Sequence, residues 1–370
     1  MPDVDIAAVQ HTVVWAVFAL GLVLGAVMNR TNFCTMGSVT DIVNMGDWTR
    51  MRMWVCAMGV AILGTQLLAA AGLVDPSQSI YTGSRLIWLS FLFGGFLFGF
   101  GMVLASGCGS KTLVRIGGGS LKSLVVFLAL GLAAYMTLKG LTAVWRVAAL
   151  DSVSIQMPNG QDLPRLLAGT GVPLAGVRIA LGVALGGGLI AWSLASREFR
   201  RFDNLLGGIA TGLVIVAGWY VSGHLGHVLE HPDTLEEAFL ATNSGRAESF
   251  SFVAPFAYSL ELLLFWSDTS RIVTFGIAAV GGMVLGSFVW ALVSGRFHWE
   301  GFHGTEDTAN HLVGGALMGV GGVTALGCTM GQGLSGLSTL ALGSFLAAGA
   351  IIAGAVAGLH YQMWRIGRME

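Results

Sequence analysis

Residues 86–110 read LIWLSFLFGGFLFGFGMVLASGCGS, 25 positions without one Asp, Glu, Lys or Arg. A run of roughly 18 or more uncharged apolar residues is long enough to cross a bilayer as a helix. The same run carries Gly94, Gly95, Gly99 and Gly101 before it closes on Gly107-Cys108. Glycines four apart form the small face that lets membrane helices approach closely. Further charge-free runs lie at Trp54–Val74, Asn204–Gly223 and Ile272–Gly295, and Leu312–Leu359 is long enough for two passes. Only 11% of residues are charged, against about 25% in soluble domains, and mean hydropathy is +0.75. The fold class expected is an all-α polytopic membrane helix bundle. A net charge of −1 gives no footprint for nucleic acid.

Nine spans are expected, near 12–29, 52–74, 86–106, 121–142, 174–195, 203–221, 272–294, 311–327 and 339–362. Residues 250–266 are shorter and broken by Pro255 and Glu261, which predicts a partial helix. The Gly-rich polar segments 31–46, 107–119 and 327–336 abut apolar helices and read as re-entrant. No soluble domain of ordinary size fits, so residues 1–370 read as one transport domain, with halves near 1–150 and 170–370. Met1–Gln10 is acidic and no small-residue cleavage site follows, so no cleaved signal peptide is expected. Arg197, Arg200 and Arg201 are the densest basic cluster and are assigned to the cytoplasm, as are Arg365 and Arg368. The acidic loop 222–249 and the N-terminus then face outward.

The run at 86–110 has a twin. Gly94, Gly95, Gly99, Gly101, Ala105, Gly107 and Cys108 recur 220 residues later as Gly314, Gly315, Gly319, Gly321, Ala325, Gly327 and Cys328. Gly21 and Gly25 stand before Cys34 at the same spacing, and Cys34-Thr35-Met36-Gly37 reappears as Cys328-Thr329-Met330-Gly331. A fourth segment has Gly208 and Gly212 but Val221 in the cysteine column. Three cysteines at equivalent helix ends should converge near the bilayer centre. Cys56 lacks the frame and reads as a small buried hydrophobe. No pair is spaced C-x-x-C, which disfavours disulfide exchange and zinc ribbons. Neutral thiols are soft, weakly hydrated donors. With Lys111 one turn from Cys108, they favour a sulfur-bearing anion. Arg30 and Asp41 flank the first cysteine loop and are expected to pair, with an anion role for Arg30 as the alternative. Gln332 and Ser335 are expected to cap the last broken helix. His224, His227 and His231 could share a helical face, but a solvated loop is expected there and no metal site. Glu261 is expected at a helix end or paired with Arg271, a proton site being the alternative.

The strings Asn29-Arg30-Thr31-Asn32-Phe33-Cys34-Thr35-Met36-Gly37, Ser106-Gly107-Cys108-Gly109 and Leu326-Gly327-Cys328-Thr329-Met330-Gly331-Gln332-Gly333 are similar to those of the YeeE/YedE sulfur-transport family of bacterial inner-membrane proteins. The resemblance spans essentially the whole chain. It implies a compact bundle of nine spans and several short helices in two similar halves. It also implies uptake of a small sulfur compound, thiosulfate being the best-known substrate, with no cofactor and no enzymatic turnover. The substrate would pass Cys34, Cys108 and Cys328 through non-covalent hydrogen bonds, and a small cytoplasmic sulfur-carrier protein would suit the far side. Two readings from other classes stay open. One is an intramembrane thiol enzyme, which needs a base beside a cysteine, and no histidine lies in the three motifs. The other is a passive anion channel in which the cysteines only pack.

Overall fold

The computed structural model describes residues 5–168, 172–232 and 234–368. The acidic stretch at the N-terminus and the loop 143–173 therefore fall partly outside the described residues. Twelve helices carry the architecture: α1 (Ile6–Thr31), α2 (Thr35–Met45), α3 (Thr49–Ala70), α4 (Trp88–Leu104), α5 (Gly109–Gly117), α6 (Leu121–Lys139), α7 (Leu174–Leu194), α8 (Phe202–Tyr220), α9 (Ala254–Leu264), α10 (Phe275–Val293), α11 (Thr305–Thr324) and α12 (Leu342–Ile366). Wide π-type turns interrupt α7 at Gly182–Gly187 and extend α8 to Leu225; another forms Gly331–Gly336. Two antiparallel ribbons of two residues per strand lie in the loops, pairing Arg85 with Gln156 and His227 with Phe239.

The protein is thus an all-α polytopic bundle. Among the described residues eight helical segments are long and apolar enough to cross a membrane, where nine spans were expected. The ninth, α11, is a full helix, but its first two turns are polar and include Glu306 and Asp307. The first span begins at Ile6 rather than near residue 12, because Asp5 caps the helix by accepting the Ala8 N–H at 3.1 Å. The three expected re-entrant segments are short helical pieces, and the expected partial helix is α9, 11 residues long.

Glycine register sets the packing. A methyl group at Gly94 would lie 2.6 Å from the Ala325 nitrogen and 2.7 Å from the Gly321 oxygen. At Gly314 the corresponding atoms are the Ala105 nitrogen at 2.6 Å and the Gly101 oxygen at 2.7 Å. The matched distances mean that α4 and α11 cross antiparallel about a pseudo-dyad, with their C-terminal ends pointing opposite ways. Each also lies parallel to a second helix: Gly95 and Gly99 pack against Ala347 and Ile351 of α12, and Gly315 and Gly319 against Val126 and Leu130 of α6. The other two glycine helices behave alike. Gly21 and Gly25 face Ala279 and Met283 of α10, while Gly208 and Gly212 face Met53 and Ala57 of α3. Apolar burial does not separate helices already in lipid, so backbone contact of this kind is the main source of association.

Candidate functional site

Each repeated helix ends in the same unusual backbone. Asn32, Ser106 and Leu326 have φ of 53°, 55° and 55°, and each stands two residues before a cysteine. A non-glycine residue in the left-handed region costs energy and persists only where the surroundings fix it. At two of the three sites the fixing bonds are plain. The Gly107 N–H donates to the Met102 carbonyl and the Gly327 N–H to the Gly322 carbonyl, both at 2.8 Å. The Ser106 and Leu326 N–H groups donate to Val103 and Val323, both at 3.1 Å. This is the double bond of a Schellman helix stop. It turns the chain sharply, so that Cys108 and Cys328 begin new short helical pieces at opposite ends of the α4–α11 pair.

The three cysteines are 6%, 1% and 0% exposed in chain order. Cys34 is the N-cap of α2, its Sγ accepting the Gly37 N–H at 3.3 Å; Cys328 Sγ accepts the Gly331 N–H at 3.5 Å. Cys108 caps α5 and has its Sγ 3.3 Å from Ser110 Oγ. It also lies within interaction distance of both the Cys34 thiol and Thr329 in the Cys328 loop. Trp54 Nε1, whose ring abuts Gly333, is buried without a hydrogen-bond partner among the described residues. A buried donor left unpaired costs free energy unless a ligand or water satisfies it. Cys56 is buried elsewhere, on α3 against Gly208.

A cavity adjoins each end of this row. One of about 160 Å³ is lined by Tyr81, Arg146, Glu248, Ser251, Tyr258 and Gly327, next to Cys328. The other, about 210 Å³, is lined by Cys34, Thr40, Arg50, Ser106, Lys111 and Arg115. Their electrostatics differ. Arg146 pairs with Asp151 at 3.5 Å, and Glu248 lies in the loop after α8. Burial pushes the Glu248 carboxyl up to about 7, against opposing hydrogen bonds from the Ser244 side chain and Asn243 backbone. At the Cys34 end the lining carries three cations and no carboxylate.

The remaining expected residues fall as follows. Arg30 does not pair with Asp41. It reaches Asp203 on α8 at 2.9 Å and lies over the rings of Phe202 and Trp290. Asp41 instead binds Arg50 of α3 in a two-pronged ion pair. The reason is direction: α2 carries Asp41 back toward the start of α3, whereas Arg30 sits on the last turn of α1 facing α8. Lys111 lines the Cys34-side cavity, with Nζ 3.5 Å from Asn32 Oδ1. Gln332 donates from Nε2 to the Ala325 carbonyl at 2.6 Å, and Ser335 donates to the Phe250 carbonyl at 2.7 Å. Both therefore satisfy buried backbone. Glu261 pairs with Arg271 at 3.0 Å and Lys139 at 3.4 Å and accepts the Tyr135 hydroxyl. His227 bonds Glu237 at 2.6 Å and His224 stacks on Tyr220; no group of three or more His, Cys, Asp or Glu could hold a metal ion among the described residues.

Sequence reasoning missed Arg50, Arg115 and Thr329. The signals were present. Arg115 stands four residues after Lys111 and so shares its helix face, and Thr329 occupies the column of Thr35 in the repeated Cys-Thr-Met-Gly string.

The family described as Sulphur transport matches residues 30–357. The chain belongs to this family, the YeeE/YedE sulfur transporters. Two curated relatives are both named Thiosulfate transporter TsuA. That of Spirochaeta thermophila is 27% identical over 344 residues, covering 90% of this chain and 94% of the relative. That of Escherichia coli is 26% identical over 332 residues, covering 85% and 84%. The chain is thus a multi-pass membrane protein of a transporter family, and membership places it with transporters rather than with thiol enzymes.

Proposed function

We propose that this protein imports thiosulfate, passing it along Cys328, Cys108 and Cys34 by successive non-covalent S–H hydrogen bonds. The observation that carries the reading is the closeness of Cys108 to both the Cys34 thiol and Thr329 of the Cys328 loop, with one cavity lined by Cys34 and another by Gly327, the residue before Cys328. Thiols suit the task because they can donate to a passing anion yet are weakly hydrated, so closing around them costs little. The buried Thr329 hydroxyl beside Cys108 is a further donor. Thiosulfate is the substrate in the names of both relatives. Burial of all three thiols keeps the path closed between passages, which separates a relay from an open pore. The side chains around Cys108 are Ser110, the Cys34 thiol and Thr329, none of them a histidine or carboxylate that could activate a nucleophile.

The bacterial inner membrane is the proposed location, with the Cys34 end and the C-terminus in the cytoplasm. The Arg30–Asp203 pair puts the end of α1 beside the start of α8 and hence near the basic cluster at Arg197–Arg201. A small cytoplasmic sulfur carrier would then collect substrate at the Cys34 end.

The test is isotope uptake in a host lacking its own sulfur-oxyanion importers. Exchanging Cys34, Cys108 and Cys328 together for serine should abolish most thiosulfate uptake. Retained flux would make the protein a channel. A persulfide mass addition on any of the three cysteines would make it an enzyme.

A further inference from the structure

We propose that the Cys34-side cavity is an anion site in its own right, built by Lys111 and Arg115 to hold a small doubly charged oxyanion. The proposal rests on the transport reading for the ligand's chemical class, but its physical basis is separate. Three cations line the cavity. Arg50 is neutralised by its ion pair with Asp41. Lys111 and Arg115 have no carboxylate within 4.0 Å among the described residues. Lys111 has only its long contact to Asn32, and Arg115 spends one N–H on the Ser106 carbonyl at 2.8 Å. Most of their donors are therefore free.

The two stand four residues apart on α5, a helix of nine residues. Like charges at that spacing repel and weaken a helix. A bound dianion would turn that repulsion into two charge-assisted contacts. Hard oxygens suit the ammonium and guanidinium groups. A soft terminal sulfur suits the Cys34 thiol on the same wall. The cavity at the other end holds Glu248 and a paired Arg146, so the two ends are unequal: anions are held at the Cys34 end and only admitted at the Cys328 end.

The test is calorimetric titration of the purified full-length protein with sodium thiosulfate, sulfate and chloride. Sulfate has the charge but no terminal sulfur. Both dianions should bind, with chloride at least about tenfold weaker because it meets half the charge product. Lys111→Gln should weaken dianion binding about tenfold or more, the worth of one charge-assisted hydrogen bond. Arg115→Lys, which keeps the charge, should change it only slightly. Cys328→Ala should retain dianion binding while losing uptake. Equal affinity of the native protein for chloride and sulfate would overturn the proposal whatever the variants do. So would unchanged binding in Lys111→Gln, or loss of binding in Cys328→Ala. Normal uptake in Cys328→Ala, by contrast, would defeat the relay and leave this site standing.

Discussion

Cys108→Ala removes the thiol that lies close to both Cys34 and the Cys328 loop. The alanine keeps Cβ and loses only the sulfur, which neighbours Ser110 Oγ at 3.3 Å and the Cys34 and Thr329 side chains. The fold should lose little, because the backbone turn is held by the Gly107–Met102 and Ser106–Val103 bonds rather than by the side chain. A sulfur-sized void costs on the order of 1 kcal/mol. Transport should lose far more. A hydrogen bond to a charged group is worth about 1.5–3 kcal/mol, and each 1.4 kcal/mol is about a factor of ten. Removing the middle donor should therefore slow labelled thiosulfate uptake about ten- to hundredfold at unchanged expression. Cys56→Ala is the control, since that sulfur packs against Gly208 and adjoins neither cavity. It should cost a similar amount of stability and leave uptake near native. Equal and mild losses for Cys108→Ala and Cys56→Ala would return the cysteine row to packing and refute the relay.

Four further outcomes follow from the same geometry. Glu248 is protonated below about pH 7 and charged above it, so ionisation puts a negative charge in the entry cavity as pH rises; uptake should fall through that window, and Glu248→Gln should flatten the decline. The same raised carboxyl makes protonation favour the fold, so unfolding stability should drop as pH climbs from the ordinary glutamate range to about 7, a slope absent from the Gln variant. Gly101→Ala puts a methyl 2.8 Å from the Gly314 oxygen and the Leu317 side chain and should destabilise by about 1–3 kcal/mol, seen as a lower melting temperature in detergent, whereas Gly349→Ala meets nothing within 4 Å and should be neutral or slightly stabilising. In sealed vesicles an inside-negative potential opposes a dianion by about 4.6 kcal/mol per 100 mV, and Glu261 is held by Arg271 and Lys139 rather than free to carry protons; the protein should equilibrate thiosulfate and not concentrate it, and accumulation driven by a proton gradient and lost in Glu261→Gln would defeat this.

What could be read before any coordinates depended on how far each signal travels along the chain. Glycine spacing is local and periodic, so the runs at 94–101 and 314–321 disclosed both a helix face and a repeat. That the repeat is inverted follows only from the three-dimensional pairing of Gly94 with Gly321 and Gly101 with Gly314, because identical strings do not tell which way a helix crosses the membrane. The cysteines were legible through that frame. The left-handed turn that aims them was not, since Asn32, Ser106 and Leu326 share no side-chain chemistry, and at Ser106 and Leu326 the turn is imposed by carbonyls of the preceding helix. Charge pairing was the least legible. Asp41 lies eleven residues from Arg30 and nine from Arg50, nearly equal distances in sequence, and the choice between them is made by the direction in which α2 leaves Cys34. With Asp41 held by Arg50, Lys111 and Arg115 line the Cys34-side cavity with no carboxylate within 4.0 Å among the described residues. The error in pairing Arg30 with Asp41 and the failure to see a cationic cavity therefore have one cause. A reading confined to the sequence pairs charges that flank the same loop. Here the turn after Cys34 sends Asp41 toward α3 and leaves Lys111 and Arg115 in the lining of the cavity that Cys34 shares.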